Sequence, residues 1–143
     1  MSNQRPTTLE EIAARWLGTP FVPYGHQPGA GVDCAHLVAE ILVEAGWIAG
    51  YRFPRYRCDE GHHAGESRVI RWLAQSGQFA QVPAGTVQPG DVLTFRIGRV
   101  AHHVGLALAQ ERFIHAMRGR GVLVSTLRDP TYAKRLESVW RAV

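Results

Sequence analysis

Long hydrophobic runs are absent from this chain of 143 residues. The longest apolar run, near residues 37–43, is interrupted by Glu40 and falls far short of the roughly 20 residues that a membrane-spanning helix needs. Residues 1–6 are polar and lead into an amphipathic stretch, which argues against a secretory signal peptide. These absences predict a protein without a membrane span that is made in the cytoplasm.

Cysteine is also scarce, because only Cys34 and Cys58 are present and neither belongs to a Cys-x-x-Cys pair or a zinc-finger spacing. This excludes a fold built on disulfides, and we do not expect a bond between these two residues. Cys58, His62 and His63 form a compact cluster, but a further zinc ligand is not apparent. We therefore expect a solvated loop there, and no metal or other cofactor.

Lysine occurs once, at Lys134, whereas fifteen arginines give the chain a formal net charge of +4. Such a charge suits a polyanion or an anionic cell envelope. The basic residues do not form a run of about five to eight, and the aromatic residues are dispersed. Nucleic acid is therefore not an expected partner.

The composition, 45% apolar and 20% charged, is that of one globular domain. We assign residues 1–143 to it, with residues 1–6 as a flexible tail. Apolar spacing predicts a first helix over residues 8–17, with Thr7 and Glu10 as its capping box. A loop rich in Gly and Pro follows.

A second helix is predicted from Asp33, as its N-cap, to the stop at Gly46, and a shorter third one from about Ser67 to Gln75. Beyond Pro89 the apolar period changes from 3.6 to 2, which indicates about five short strands. Helices followed by strands predict an α+β fold, with the second helix packed on an antiparallel sheet.

Cys34 is placed at the first position of the predicted core helix, behind a glycine-rich loop. Unpaired backbone N–H groups and the positive end of the helix dipole are expected to lower the pKa of the thiol there. A lone cysteine is more often a small buried residue, so a nucleophile at Cys34 also needs a base.

Two histidines offer such a base. In the strand that His103 begins, His103, Gly105 and Ala107 share one face, and the small residues leave room for a helix end. His115 follows twelve residues later, and an even separation across a hairpin centred near Ala109 keeps both histidines on one face. A thiol, an imidazole and an orienting group are what acyl transfer by cysteine requires. We expect His115 to share the Nδ1 proton of His103, leaving the other nitrogen toward the thiol.

Several stretches of the sequence occur together in one order and spacing. They are Gly18–Phe21, Tyr24–Gly25, Gly31–Val38, Pro89–Leu93, His103–Leu106 and Phe113–Ala116. With this combination the chain, from about residue 9 to residue 127, resembles the NlpC-type family of papain-like cell-wall peptidases.

The resemblance implies a truncated papain-like α+β fold and hydrolysis of the stem peptide of peptidoglycan. The bond that such enzymes typically cleave joins γ-D-glutamate to a diamino acid such as meso-diaminopimelate. The resemblance assigns Cys34 as nucleophile, His103 as general base and His115 as orienting residue. Tyr24 corresponds to a tyrosine whose hydroxyl lies near the nucleophile, and Asp33 to the residue that precedes it.

The sequence departs from the family pattern after the cysteine, where Ala35 and His36 replace a small pair such as Ser-Gly. His36 either lines the cleft or is exposed on the first helical turn. His102 is an alternative base, but strand alternation points it to the opposite face from His103. Together with Tyr24 and Asp33, His36 and His102 are candidates for substrate binding.

The linking sequence 51–61, the short single domain and the lack of a signal peptide look most like the branch found with tail proteins of phages and gene transfer agents. The expected partners are peptidoglycan peptides and such tail proteins, and the expected location is a phage-like particle. Two alternatives remain open. One is an amidase or acyltransferase that uses the same Cys-His pair, and the other is a tail-tip structural module without catalysis.

Overall fold

The computed structural model describes residues 8–53, 65–97 and 101–143, with the backbone alone at residues 65–68, 97 and 101–102. The elements, in chain order, are α1 (Leu9–Ala14), β1 (His26–Gln27), β2 (Gly31–Val32), α2 (Cys34–Glu44), α3 (Gly65–Gln75), β3 (Phe79–Val82), β4 (Val92–Ile97), β5 (Ala101–Ala107), β6 (Arg112–Met117), β7 (Gly121–Thr126), α4 (Pro130–Ala133) and β8 (Leu136–Ala142). No helix in these ranges is long and apolar enough to cross a membrane. The expected tail at residues 1–6 lies outside the described residues.

Six strands form one antiparallel sheet in the order β3-β8-β4-β5-β6-β7, while β1 and β2 pair with each other. The predicted α+β architecture is therefore confirmed, with one strand more than the sequence indicated. The added strand is β3, which pairs with β8. Its four residues contain a single buried side chain, Phe79, and so carry little of the alternation that identifies a strand.

Helix α1 is shorter than predicted, and its cap is shifted by one residue. The hydroxyl of Thr8 accepts from the backbone N–H of Glu11, and the carboxylate of Glu11 accepts from the N–H of Thr8, which completes a capping box. The predicted pair of Thr7 and Glu10 was therefore wrong by one position. Because the helix ends at Ala14, Leu17 leaves the apolar stripe and is 50% exposed.

Helix α2 has the predicted bounds. Asp33 caps it by accepting from the backbone N–H of His36 at 2.8 Å, and Gly46, with φ of +80°, follows its C-terminal end. Its apolar face is fully buried, and burial of each leucine or isoleucine side chain contributes about 1.5–3 kcal/mol to the stability of the folded state. The members of that face include Leu37, Val38, Ile41 and Leu42. This packing holds the start of α2 against the sheet.

The sheet has two buried faces. Val104, Leu106 and Ile114 pack with α1 and α2 on one face, while Phe95 and Phe113 lie on the other with Tyr132 of α4 among their neighbours. Strand alternation places His103 and His115 on the second face, where their rings lie near these aromatic side chains. The body of α2 and the two imidazoles thus pack on opposite faces.

The small residues beside His103 do not make room for the helix, contrary to the sequence-based expectation. A Cβ atom on Gly105 would lie 2.9 Å from the ring of Phe113 and 3.4 Å from Cβ of His115. The space next to Gly105 is therefore filled by these two side chains, and the missing side chain serves the packing of His115.

The Pro89–Leu93 motif anchors the start of β4. The buried carboxylate of Asp91 accepts from the backbone N–H of Gln88 and from two nitrogens of Arg141, on β8, at 2.8–2.9 Å. Gly90 has a φ of +91°, and a side chain there would collide with the ring of Trp47. The contacts of this motif are structural.

Candidate active site

Cys34 is the first residue of α2, a free thiol in a half-buried residue. The backbone N–H of Val104, which follows His103 in β5, donates to its sulfur. Helix α2 contacts both β5 and β6. The nucleophile predicted from the sequence therefore lies directly against the strand that carries the predicted base.

Strand pairing leaves an opening beside His103. β5 pairs with β4 from Ala101 to Leu106, but among the described residues it pairs with β6 only at Leu106↔Ile114 and Ala107↔Phe113. Nearer its start, β5 therefore has a strand partner on one side alone. The first turn of α2 can approach the sheet there.

The structure brings His103 and His115 together. Nε2 of His103 lies 2.7 Å from Nδ1 of His115, and the two buried rings are T-shaped with centroids 5.0 Å apart. The midpoint of the strand register is Gln110, one residue beyond the predicted hairpin centre at Ala109. Gly105 is consequently opposite His115, and the two histidines are diagonal neighbours within reach of their rings.

The nitrogen of His103 that contacts His115 is not the predicted one. The sequence predicted a contact through Nδ1, whereas the observed contact uses Nε2, which leaves Nδ1 as the ring nitrogen of His103 that does not face His115. Strand alternation specifies the face of a side chain but not the rotation of its ring.

Ser125 is a site residue that was not predicted from the sequence. Its Oγ lies 2.8 Å from Nε2 of His115, and its strand pairs with β6 at Phe113↔Ser125. Strand alternation could have identified it, because Val124 was predicted to face the core. The next residue, Ser125, must then face the opposite side of the sheet. The polar chain therefore extends over His103, His115 and Ser125 on three adjacent strands.

Burial sets the protonation of the site. It lowers the pKa of His103 to about 4 and that of His115 to about 3, with the neighbouring His103 and Arg120 also lowering the latter. Burial and then the Asp33 carboxylate raise the pKa of the Cys34 thiol to about 12, against the opposing effect of backbone N–H groups. The expected lowering by the helix N-terminus was wrong, because removal of water and the adjacent carboxylate outweigh it. At neutral pH these shifts favour a neutral thiol and neutral imidazoles.

Asp33 organises the loop in front of the nucleophile. It is fully buried, and its carboxylate accepts from the backbone N–H of Tyr24 at 2.9 Å as well as from His36. Tyr24 has a φ of +64°, a conformation that its contact with Asp33 supports. A role of Tyr24 or Asp33 in substrate binding stays a prediction.

His36 is not exposed on the first turn of α2, because its side chain is only 13% exposed. Its Nδ1 lies 2.8 Å from Oδ1 of Asp33, and its ring packs near those of His26, Tyr51 and Phe53. The interpretation of His36 as a solvated residue was therefore wrong. Whether it contacts substrate stays a prediction.

The side chains of two other groups of candidate site residues are not among those described. His102 lies in β5 opposite Arg96, and only its backbone is described. Cys58, His62 and His63 lie outside the described residues. The roles proposed for them stay predictions.

A cysteine at a helix start, beside a strand-borne histidine with a polar partner, on this α+β fold, defines a papain-like cysteine hydrolase. Residues 18–141 match the model of the NlpC/P60 family. The chain belongs to this family, and it is a cysteine-type hydrolase.

Curated relatives include a probable endopeptidase of Haemophilus influenzae, 27% identical over 135 residues, which cover 93% of this chain and 72% of that protein. Another is the murein DD-endopeptidase MepS/murein LD-carboxypeptidase of Escherichia coli K12, 25% identical over 130 residues, which cover 91% of this chain and 59% of that protein. The chain thus spans about three fifths to seven tenths of the length of these relatives.

Solved structures show the same fold. The NlpC/p60 domain of the peptidoglycan hydrolase SagA matches with a TM-score of 0.62 and 18% identity, over 95% of this chain and 97% of that domain. A protein of Staphylococcus aureus Mu50, described as similar to lipoprotein of the NLP/P60 family, matches with a TM-score of 0.65 and 21% identity, over 100% of this chain and 43% of that chain.

The two buried imidazoles make the stability depend on pH. A histidine whose pKa is lowered in the folded state binds its proton more tightly when the chain is unfolded. Its contribution to the free energy of unfolding is therefore fully present above the unfolded pKa of about 6.5 and is lost as the pH falls toward the folded pKa. Between pH 7 and pH 5 we expect each of His103 and His115 to reduce the free energy of unfolding by about 2 kcal/mol. Urea denaturation at both pH values measures the loss. The His115→Asn variant should lose about half of this dependence, while the exposed His26→Asn should retain it, and equal dependence in all three proteins would contradict the assignment.

Proposed function

We propose that this protein hydrolyses an amide bond in the stem peptide of peptidoglycan, with Cys34 as nucleophile and His103 as general base. The observation that carries the proposal is the position of the Cys34 sulfur at the N–H of Val104, next to a histidine whose Nε2 is held by His115. The names of the murein endopeptidase from Escherichia coli and of the gamma-DL-glutamyl hydrolase from Bacillus subtilis, 26% identical over 133 residues, support this substrate class. The chain covers only 27% of the latter protein.

In the proposed reaction, Nδ1 of His103 takes the thiol proton as the sulfur of Cys34 attacks the scissile carbonyl carbon. Because the raised pKa of the thiol and the lowered pKa of the imidazole favour a neutral pair, transfer of the proton accompanies the attack. The imidazolium then gives the proton to the leaving amine, and a thioester forms on Cys34. Water, deprotonated by the same imidazole, attacks the thioester and restores the thiol.

Digestion of purified peptidoglycan, followed by mass spectrometry of the soluble products, tests the proposal. We expect new amino termini on the diamino acid and new carboxyl termini on the γ-D-glutamyl residue. Release of products that carry only sugar or lipid cleavage, or the absence of products under conditions where the thiol reacts with an alkylating probe, would contradict it.

Metal removal is expected to leave the rate unchanged, because a thiol attacking with a histidine base requires no Lewis acid. The measurement is hydrolysis before and after treatment with EDTA. Loss of turnover that zinc restores would instead give the cluster of Cys58, His62 and His63 a functional role.

Substitution of His115 is expected to separate orientation from simple packing. Asn places its Oδ1 near the position of Nδ1 of His115, which lies 2.7 Å from Nε2 of His103, whereas Gln places its oxygen one atom further away, toward Ser125. We expect His115→Leu to lower kcat about 10- to 100-fold, since a hydrogen bond to a group that becomes charged contributes about 1.5–3 kcal/mol. His115→Asn should recover part of this loss, and more than His115→Gln. Equal rates for the Asn and Leu variants, at matched melting temperatures, would show that His115 only fills the face of the sheet.

We also propose that the protein acts from a phage-like particle, where it opens a cell wall during entry. The support is the resemblance of residues 51–61 to the phage-tail branch of the family. Mass spectrometry of purified particles should detect the protein at a fixed ratio to tail proteins, and its absence from particles would overturn this delivery route.

A further inference from the structure

His115 has a different partner on each ring nitrogen. Its Nδ1 lies 2.7 Å from Nε2 of His103, and its Nε2 lies 2.8 Å from Oγ of Ser125. The ring is 0% exposed and is packed edge-on against Tyr132 and beside Phe113. Because a neutral imidazole carries one proton, the position of that proton on His115 decides which nitrogen of His103 is protonated.

The proposed reaction selects one of the two arrangements. To accept a proton at Nδ1, neutral His103 must carry its own proton on Nε2, and that N–H donates to Nδ1 of His115. The proton of His115 is then on Nε2, and this N–H donates a hydrogen bond to the hydroxyl oxygen of Ser125. In the opposite arrangement, Nδ1 of His115 donates to His103, whose own proton then occupies the nitrogen that the thiol needs.

We propose that Ser125 is a positioning residue, whose hydroxyl oxygen accepts from Nε2–H of His115 and so stabilises the arrangement in which Nδ1 of His103 is free to act as the base. The inference rests on the proposed hydrolysis by Cys34 and His103. Ser125 acts through the side chains of His115 and His103 and contacts none of the reacting atoms.

The register of the sheet explains why Ser125 reaches this position. β6 pairs with β7 at Phe113↔Ser125 and His115↔Leu123, so Ser125 is the diagonal neighbour of His115 on the same face. His103 is the diagonal neighbour on the other side of His115. A line of three side chains therefore crosses β5, β6 and β7, and an aromatic ring at its middle spans both diagonals.

A matched pair of variants tests the hydroxyl. Ser125→Thr keeps it and Ser125→Val replaces it with a methyl group of the same shape, and both residues suit a strand. With a stem peptide that the wild-type protein cleaves, we expect Ser125→Val to lower kcat about tenfold at unchanged KM, and Ser125→Thr to stay within about twofold of wild type. Thr126→Val, one residue along β7, is the control and should retain the wild-type kcat. Equal kcat values for Ser125→Val and Ser125→Thr would overturn the proposal.

The protonated nitrogens can be observed without any substrate. Long-range 1H–15N spectra of protein labelled on histidine should show protons on Nε2 of both His103 and His115 in the wild type and in Ser125→Thr. In Ser125→Val, the Nε2–H form of His115 should lose its dominance and Nδ1 of His103 should gain a proton. Identical spectra of the wild type and Ser125→Val would overturn the proposal.

A double substitution establishes that Ser125 acts through His115. In a His115→Leu background, Ser125→Val should cause no further fall in kcat, because the nitrogen that binds the hydroxyl is gone. A further tenfold fall would show an independent role and overturn the proposal. If the wild-type protein cleaves no stem peptide, the proposed function fails, while the histidine spectra still decide whether Ser125 sets the position of the proton.

Discussion

The Cys34→Ala variant is expected to release no stem-peptide product above the uncatalysed background. The sulfur is the only atom at the start of α2 that can form the thioester, and alanine offers no lone pair in its place. The fold should persist, because Cys34 lies at the edge of the core and Asp33 still caps the helix. Mass spectrometry of peptidoglycan digests measures the loss, and urea denaturation should show a change in stability below about 1 kcal/mol.

Two further variants make this result specific to Cys34. Cys34→Ser keeps the shape of the side chain but should also be inactive, because a histidine whose pKa burial lowers is too weak a base for a hydroxyl. Cys58→Ala should retain most of the activity. An inactive Cys58→Ala together with an active Cys34→Ala would show that the nucleophile has been assigned to the wrong cysteine.

The second large effect is expected at His103. Removal of its imidazole in His103→Ala takes away the proposed acceptor of the thiol proton and the proposed donor to the leaving amine, so kcat should fall on the order of 10³-fold or more. The buried ring also fills space against Phe95, so stability must be measured in parallel with the rate. Steady-state hydrolysis at a temperature well below the melting point of the variant measures the fall in kcat that is not caused by unfolding.

Neighbouring histidines provide the controls for His103. His26→Ala removes an exposed imidazole near the start of α2, and most of the activity should remain. His102→Ala tests the alternative base in the same strand. If His102→Ala abolished hydrolysis and His103→Ala left more than a tenth of it, the base would be His102.

Local sequence signals were sufficient to predict the helix that begins at Cys34. Asp33 as N-cap, the apolar stripe of α2 and the stop at Gly46 were all predicted, and all three are present. These features depend on neighbours within one or two helical turns, so they are visible without knowledge of the rest of the chain. The same reasoning failed for α1 by one residue, because Thr7 and Thr8 are equivalent as caps until the helix has docked.

Strand alternation predicted that His103 and His115 share a face, and their contact at 2.7 Å agrees with that prediction. Alternation could not predict the hairpin register, the nitrogen that makes the contact or the participation of Ser125. Each of these depends on a shift of one residue between strands or on the rotation of a ring. An apolar pattern that repeats every two residues carries no information about either.

The sequence by itself determined the fold class, the position of Cys34 at a helix start and the two histidines on one face of a sheet, since these follow from local periodicity. Only the tertiary structure decided the sign of the pKa shift at Cys34, which is opposite to the effect expected of a helix N-terminus. It also decided that α2 and the imidazoles pack on opposite faces, with Ser125 at the end of the polar chain. The reason is physical: the removal of water from Cys34, which is the largest cause of the shift, arises from segments brought together by packing, and no local pattern records how deeply a side chain is buried.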